Sequence, residues 1–347
     1  MIDYKNQLLS ISAIYFVIAI TLSLLFIGSE NLLFNNIQWL FSGSDISGHQ
    51  TGWNFFKNDE WRFPLGRNPN YGNEIGNSIV YSDSIPILAL TFKLFNFLLP
   101  NNFQYFGFWF FICFFFQGFL SNLLIQKYTG NKVYSFLGSI FFIVYPILIY
   151  RMGFHPALFG QWTLIITVYL MLEKDKVNEK HWIFLILITA LIHFYFTIIN
   201  LIIYNFFKIY SFIISNEIKA KKYFKDIFIC HLFLITLMYC VGYFEVRFVD
   251  TLALGFGVYK LNILSFVDSF NDNNGVSWSW FLPNINLTNG EEIEGFNYIG
   301  LGVLLLFIIS VVFTIIDKKQ REYLKFFLNK KIVLVLLLIF LLSLSNK

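Results

Sequence analysis

The polar segment at residues 44–86 interrupts an otherwise apolar chain and carries residue types suited to acid–base chemistry. Asp45 and His49 are four residues apart, so on a helix their side chains would share one face. A carboxylate can take a proton from a hydroxyl group while a nearby imidazole assists or orients it. Asp83 is the second candidate acid or base in the segment. Both aspartates could instead cap helices, because Asp is favoured at helix N-termini.

Asp45 and Asp83 could also hold a divalent cation, since carboxylate oxygens are suitable ligands for such ions. The pattern is sparse and identifies neither a metal site nor a cofactor. The three cysteines, Cys113, Cys230 and Cys240, lie in apolar runs without ligand spacing and are expected to be small core residues.

Basic residues near predicted turns are candidates for binding phosphate. Arg67 follows a proline and a glycine in a turn-rich stretch, where a solvated loop residue is the alternative. Arg151 and His155 are predicted to lie in an outer turn between two apolar runs. An arginine fork binds phosphate well, although its side chain could instead reach lipid headgroups. His193 lies within an apolar run and is expected to be a hydrogen-bonded core histidine.

Composition places the chain in a membrane. Of 347 residues, 57% are hydrophobic and 13% are charged, which is about half the charged fraction of soluble domains. We predict an all-α integral membrane protein with a single transmembrane domain over residues 1–347. The last apolar run is short for a span, so the chain is expected to be part of a longer protein or to end in a short helix. The predicted spans are 8–28, 105–125, 133–150, 156–172, 182–195, 197–214, 227–243, 298–316 and 332–345.

Basic residues between the apolar runs predict the orientation of the spans, because Lys and Arg concentrate on the cytoplasmic side. This pattern puts the N-terminus in the cytoplasm and the loops 29–104 and 245–297 outside. The segment Ile85–Leu99 is short and contains a lysine, so it is predicted to lie at the membrane interface. The run Trp182–Ser215 has positive clusters at both ends and is predicted to be a hairpin turning near 193–196.

The motifs of soluble nucleotide chemistry are missing from the sequence. It contains no Walker motif, GxSxG, HExxH or dinucleotide fingerprint. The net charge of +4 is explained by the basic loops that set topology, so no nucleic-acid partner is expected.

Three motifs give the chain a resemblance to a known family. They are SDxxGHxxGWxFFxxxxWxFPLG from Ser44, YGxxxGxSIVYSDSIPI from Tyr71, and EGFNYIGLG from Glu294. They resemble a family of bacterial integral membrane proteins of unknown function, which in its layout looks like the GT-C class of membrane glycosyltransferases. The resemblance implies a GT-C-like multi-helix bundle with two large extracytoplasmic loops and an interfacial helix. It also implies residence in the bacterial cytoplasmic membrane.

The resemblance further implies transfer of a sugar from a polyprenyl-phosphate-linked donor to an extracytoplasmic acceptor, with membrane lipids as the other partners. Asp45 matches the position of the catalytic carboxylate and would act as general base. The leaving phosphate needs a positive charge, for which Arg151, Arg67 and Lys93 are candidates beside a bound metal.

Aromatic and polar residues of the two outer loops complete the candidate substrate site. Trp53 and Trp61 could stack on sugar faces or belong to the aromatic belt at the interface. The remaining candidates lie in the second loop and are Glu292, Glu294, Asn297 and Tyr298.

A lipid or polysaccharide transporter or flippase is the main alternative function. Transporters place polar residues near the middle of the membrane, often on broken helices. The polar residues of this chain cluster in outer loops, with His193 and Asn200 as the main exceptions. A non-catalytic role in envelope assembly is the third possibility.

Overall fold

The computed structural model describes residues 2–41, 45–72, 77–173, 178–213, 217–245, 261–271, 275–285, 296–327 and 330–344. The contacts within the chain divide it into two compact units. The first comprises Met1–Ile143 with Arg151–Val249, and the second comprises Val144–Tyr150 with Asp250–Lys347.

The described residues are mainly α-helical, as the sequence predicts. Helices of the first unit, with α6 shared between the units, are α1 Ile2–Phe26, α2 Ile46–Asn58, α3 Pro86–Leu94, α4 Phe106–Thr129, α5 Lys132–Ile143, α6 Pro146–Phe154, α7 Trp162–Leu172, α8 Glu179–Ala190, α9 Phe194–Ile213 and α10 Glu217–Val241. Helices of the second unit are α11 Leu301–Ile316, α12 Lys318–Phe327 and α13 Lys330–Leu344.

Five of the described segments are long and apolar enough to cross a bilayer: Asn6–Phe26, Phe106–Thr129, Lys132–Phe154, Phe194–Ile213 and Lys221–Val241. The helices Trp162–Leu172 and Leu301–Ile316 are apolar but shorter. The chain therefore has the character of a multi-pass membrane protein.

Small residues allow α1, α4 and α5 to pack closely. A Cβ atom at Gly118 of α4 would lie 2.4 Å from the Tyr15 ring and 2.6 Å from Ile143. The Tyr15 hydroxyl is also hydrogen-bonded to Ser139 of α5. Small residues at helix contacts, with polar groups bonded across them, are typical of association in membranes.

Of the nine predicted spans, those at 156–172, 182–195, 298–316 and 332–345 are not among the five span-length segments. Two of the predicted spans are also interrupted beside a proline. The run predicted as one span at 133–150 is divided before Pro146, which cannot donate an intrahelical hydrogen bond. The run predicted at 156–172 begins with a short 3₁₀ helix, Pro156–Phe159, so that regular α-helix begins only at Trp162.

The run predicted as a hairpin at Trp182–Ser215 is described as far as Ile213, and this part forms two helices joined by a turn. Helix α8 ends at Ala190 and α9 begins at Phe194, so the connection is short. Helix α3 lies against this connection, because the backbone N–H of Ile87 donates to the carbonyl of Leu191 over 2.7 Å. With nine residues, α3 is about 14 Å long, less than half the thickness of a bilayer core of about 30 Å.

A charged group joins the ends of α8, α9 and α10 that are remote from this connection. The Lys208 ammonium contacts the carboxylate of Glu179 and lies 3.0 Å from Asp226 Oδ2. The Tyr204 hydroxyl donates to Glu179 over 3.1 Å. All of these partners are polar and only partly exposed, so the group fixes the packing of three helices.

The second unit combines helices with a small sheet. Strands β1 Phe270–Asn271 and β2 Val276–Ser277 pair antiparallel, with Phe270 opposite Ser277. The Phe296 ring packs edge-on against Tyr150 at 5.2 Å between centroids.

Candidate active site

Asp83 lies at the centre of a group of imidazoles in the first unit. His193 Nε2 is 3.4 Å from Asp83 Oδ1, and His49 Nε2 is 3.7 Å from Asp83 Oδ2. His155 Nδ1 lies 4.0 Å from the same Oδ2 atom, and its Nε2 lies 3.8 Å from Asp45 Oδ2. Three of the five histidines of the chain thus converge on one carboxylate. We refer to Asp83, His49, His155 and His193 as the histidine–aspartate cluster.

The backbone that carries Asp83 is strained and tightly held. Asp83 and Ile85 have φ values of 51° and 50°, in the left-handed region, which Asp tolerates but a β-branched residue such as Ile85 rarely adopts. The Ser84 hydroxyl donates to the carbonyl of His49 over 2.6 Å, and the Tyr105 hydroxyl donates to the carbonyl of Ser84. Strain of this kind persists where the surroundings enforce it, and it is concentrated at functional sites.

His49 is placed by the close approach of α2 to the Asp83 loop. A Cβ atom at Gly52 would lie only 2.4 Å from the Cβ of Ser82, so glycine allows the contact. The approach brings His49 Nδ1 to 2.8 Å from the carbonyl oxygen of Ser82, while Nε2 is 3.3 Å from that of Phe154. The shorter contact assigns the proton of a neutral imidazole to Nδ1.

His155 follows directly after α6. The residue after it, Pro156, is held by α4, because the Trp109 indole donates to the carbonyl of Pro156 over 2.7 Å. The backbone N–H of His155 also donates to the carbonyl of Arg151 over 2.9 Å. The Nε2 atom faces Asp45, whose negative charge favours a proton on that nitrogen.

His193 stands between α8 and α9. Its Nδ1 accepts a hydrogen bond from the backbone N–H of Tyr195 over 3.1 Å, so Nε2 carries the proton of the neutral ring. The proton of His193 is therefore on the nitrogen that faces Asp83 Oδ1. The connection itself is held by the Tyr243 hydroxyl, which donates to the carbonyl of Ala190 over 2.6 Å.

Burial changes the ionisation of the cluster. It raises the pKa of Asp83 to about 7, although the neighbouring His155 opposes the shift. It also lowers the pKa of His193 to about 4, with further lowering from neighbouring basic groups, including His155 and Arg151. Burial likewise lowers the pKa of His49. His49 and His193 are therefore neutral at pH 7.

Asp45 is the accessible member of the site. Its side chain is 63% exposed, compared with 17% for Asp83. The helix-cap alternative does not describe either residue. Asp45 precedes α2 but makes no side-chain capping hydrogen bond, and the residue at the cap position of α3 is Ile85. Asp45 approaches His155, not His49 as the helical spacing predicts.

Two of the predicted phosphate-binding residues are engaged elsewhere. Arg67 Nε lies 3.2 Å from Glu245 Oε2 in an ion pair. Lys93 is buried, with its ammonium 3.9 Å from the centre of the Phe56 ring and 4.8 Å from that of Trp61, and burial lowers its pKa to about 8. The prediction that Lys93 neutralises a leaving phosphate is wrong, because the amine is enclosed by aromatic rings.

The two tryptophans have different environments. Trp53 is 0% exposed and donates its indole hydrogen to the carbonyl of Phe103 over 3.0 Å. It is a core residue and cannot stack on a sugar, which corrects that prediction. Trp61 is exposed and packs edge-on against Phe56, so stacking on a sugar stays a prediction for this residue.

The four predicted residues of the second outer loop fall into two groups. Glu292 and Glu294 lie outside the described residues. Asn297 and Tyr298 belong to the second unit, where Tyr298 is buried.

Sequence reasoning missed His193 as a member of the site. The predicted hairpin contains the signal, since its turn near 193–196 would bring this residue to the outer side. That is also the side predicted for Asp45, Asp83 and His155. For His193, the predicted position of the turn is therefore a better guide to its role than the apolar residues around it.

Comparison with known proteins supports one assignment. No curated protein and no solved structure matches the chain. A family model described as "Domain of unknown function (DUF6311)" matches residues 16–347. Because this match covers nearly the whole chain, the protein belongs to the DUF6311 family.

Proposed function

We propose that the protein is a membrane enzyme that transfers a sugar from a polyprenyl-phosphate-linked donor to an extracytoplasmic acceptor, as GT-C glycosyltransferases do. The observation that carries the proposal is the exposed carboxylate of Asp45 beside the buried histidine–aspartate cluster. The site adjoins helices long enough to cross a membrane, so a lipid-linked substrate held in the bilayer would present its phosphate and sugar beside it.

Asp45 is the general base of the proposed reaction. It takes the proton from the acceptor hydroxyl as that oxygen attacks the anomeric carbon and the bond to the lipid phosphate breaks. An exposed carboxylate suits this task, because an acceptor must approach within about 2.6–3.2 Å. His155 lies 3.8 Å away and orients the carboxylate.

The leaving phosphate gains negative charge, and the site must compensate it. Arg151 is in the last turn of α6, and its charge acts on His193. It supplies a permanent charge with a fork suited to phosphate oxygens.

The position of the titratable groups favours an enzyme over a transporter. Asp45, His49, Asp83 and His193 all stand in loops or in α2, outside the candidate membrane-spanning segments, while His155 directly follows one. A transporter of charged substrates would instead require such groups at mid-membrane.

The test is transfer by the purified full chain reconstituted in sealed lipid vesicles. The protein is incubated with a panel of polyprenyl-phosphate sugars and envelope glycan acceptors, and released lipid phosphate and glycosylated product are measured. The proposal expects both products in equal amounts from at least one donor. Movement of the labelled donor between leaflets, without cleavage of any donor, would contradict it and support a flippase.

A further inference from the structure

We propose that His49, Asp83 and His155 form a binding site for a divalent transition-metal ion of the Zn²⁺ type. One ligand atom from each of the three residues lies within 4.8 Å of the others. The two pairs that share Asp83 Oδ2 are separated by 3.7 and 4.0 Å. Zn²⁺ ligands lie about 2.0–2.2 Å from the metal, so tetrahedral ligands are about 3.4 Å apart. Small side-chain rotations would close the site.

The ligand atoms are acceptors that face one another. With the His49 proton on Nδ1, as the shorter contact assigns it, the Nε2 lone pair faces the carboxylate oxygen Asp83 Oδ2. The carbonyl of Phe154 lies 3.3 Å from the same Nε2. His155 Nδ1 completes the group when its proton is on the nitrogen that faces Asp45. A cation among these atoms would turn mutual repulsion into attraction.

Each proposed ligand has an outer partner of the kind that metal sites use. The Ser82 carbonyl accepts from His49 Nδ1 over 2.8 Å, and Asp45 faces His155 Nε2 at 3.8 Å. His193 Nε2 faces Asp83 Oδ1 at 3.4 Å. Such contacts fix ring orientation and tautomer in metal sites. His193 is therefore a positioning residue and not a ligand. Its Nδ1 accepts from the backbone of Tyr195, and its protonated Nε2 faces the ligand Asp83.

The ligand set predicts the type of metal. Imidazole suits Zn²⁺, Fe²⁺ and Co²⁺, whereas Mg²⁺ and Ca²⁺ prefer oxygen ligands. Three protein ligands leave at least one coordination position for another oxygen. That a donor phosphate occupies this open position rests on the proposed function, whereas the binding of the metal does not.

The test uses the full chain in detergent, treated with EDTA and then titrated with Co²⁺ or Zn²⁺. Visible absorption of Co²⁺ reports the ligand field, and elemental analysis reports the metal content per chain. We expect about one ion per chain, with millimolar Mg²⁺ unable to displace it. His49→Gln and His155→Gln should each weaken Co²⁺ binding at least 100-fold. His193→Gln should weaken it 10–100-fold, as expected for an outer partner.

His181→Gln is the matched control. His181 is exposed on α8 and its ring contacts only the local carbonyl of Asn178 among the described bonds. Retained thermal stability and elution volume establish that each variant is folded. A wild-type chain that binds no Co²⁺ or Zn²⁺, or His49→Gln that binds like His181→Gln, would overturn the metal site. Bound metal without sugar transfer would overturn only the proposed function.

Discussion

His193 Nε2 lies 3.4 Å from Asp83 Oδ1, although one residue stands between two long helices and the other precedes a short one. Backbone hydrogen bonds hold both residues of this contact in place. The Ile87 N–H of α3 donates to the Leu191 carbonyl, and Tyr195 N–H fixes the His193 ring. The imidazole therefore orients a carboxylate that the first polar loop supplies.

Arg151→Ala should weaken binding of the lipid-phosphate donor. Loss of one charge-assisted hydrogen bond costs about 1.5–3 kcal/mol, which corresponds to about a 10–150-fold rise in Kd. Arg151→Lys should recover only part of the affinity, because the planar fork is lost. Equilibrium binding of a labelled polyprenyl phosphate measures the change. Arg62→Ala serves as control, since Arg62 is exposed and paired with Asp59. Equal affinity in Arg151→Ala and Arg62→Ala would contradict a phosphate-binding role.

The helices follow from the sequence because bilayer-length apolar runs leave little choice of structure. Phe106–Thr129 and Phe194–Ile213 begin and end within a few residues of their predicted bounds. The interruption before Pro146 is also encoded locally. What the runs do not specify is which side chains meet between helices.

The site illustrates that limit. Asp45, His49, Asp83 and His155 are each identifiable by type and by position in outer segments. The predicted pairing of Asp45 with His49 differs from the observed contacts, because the Gly52 approach turns His49 toward Asp83. Contacts of this type depend on tertiary packing and cannot be obtained from spacing.

Gly52→Ala should disturb the site without altering any polar group in it. The added Cβ would lie 2.4 Å from Ser82 Cβ, so the Asp83 loop must shift. We expect Co²⁺ affinity and sugar transfer to fall at least 10-fold, with a loss of stability of about 1–3 kcal/mol from overpacking. Gly153→Ala is the control, because nothing lies within 4 Å of its added Cβ. Unchanged Co²⁺ affinity in Gly52→Ala would mean that the loop does not depend on this contact.

Lys208→Met should destabilise the protein while leaving the site intact. The change leaves the carboxylates of Glu179 and Asp226 without the positive charge of Lys208. Breaking a fully buried ion pair costs about 3–5 kcal/mol, and partial exposure here reduces the expected loss to about 1–3 kcal/mol. Thermal unfolding in detergent measures it. The exposed Lys180 supplies the control Lys180→Met, and equal unfolding temperatures of the two variants would contradict a stabilising role for the group.

The orientation of the helices is tested by labelling single cysteines at the two ends of α4. Asn101→Cys and Thr129→Cys are both at exposed positions, and the cysteines at 113, 230 and 240 are first replaced by alanine. The basic-loop pattern predicts that a membrane-impermeant maleimide labels position 101 in intact cells and position 129 only after permeabilisation. The reverse result would place the histidine–aspartate cluster on the cytoplasmic side and exclude an extracytoplasmic acceptor.

Asp45→Asn should separate acid–base chemistry from metal binding. Asparagine keeps the size of the side chain but cannot take a proton, so sugar transfer should fall about 10²–10⁴-fold. Co²⁺ affinity should fall by no more than 10–100-fold, because Asp45 faces His155 as an outer partner. Asp83→Asn should instead lose both transfer and metal, since it removes the ligand at the centre of the cluster.

Glu60→Gln is the matched control for Asp45→Asn, because Glu60 is an 87% exposed carboxylate of the same loop. The Glu60→Gln change should leave transfer unchanged. Elution volume and unfolding temperature show whether each variant is folded. Full transfer by Asp45→Asn, together with metal-bound but inactive Asp83→Asn, would identify Asp83 as the base. Burial raises the pKa of Asp83 to about 7, so that result would make a buried carboxylate the proton acceptor and move the acceptor site inward from Asp45.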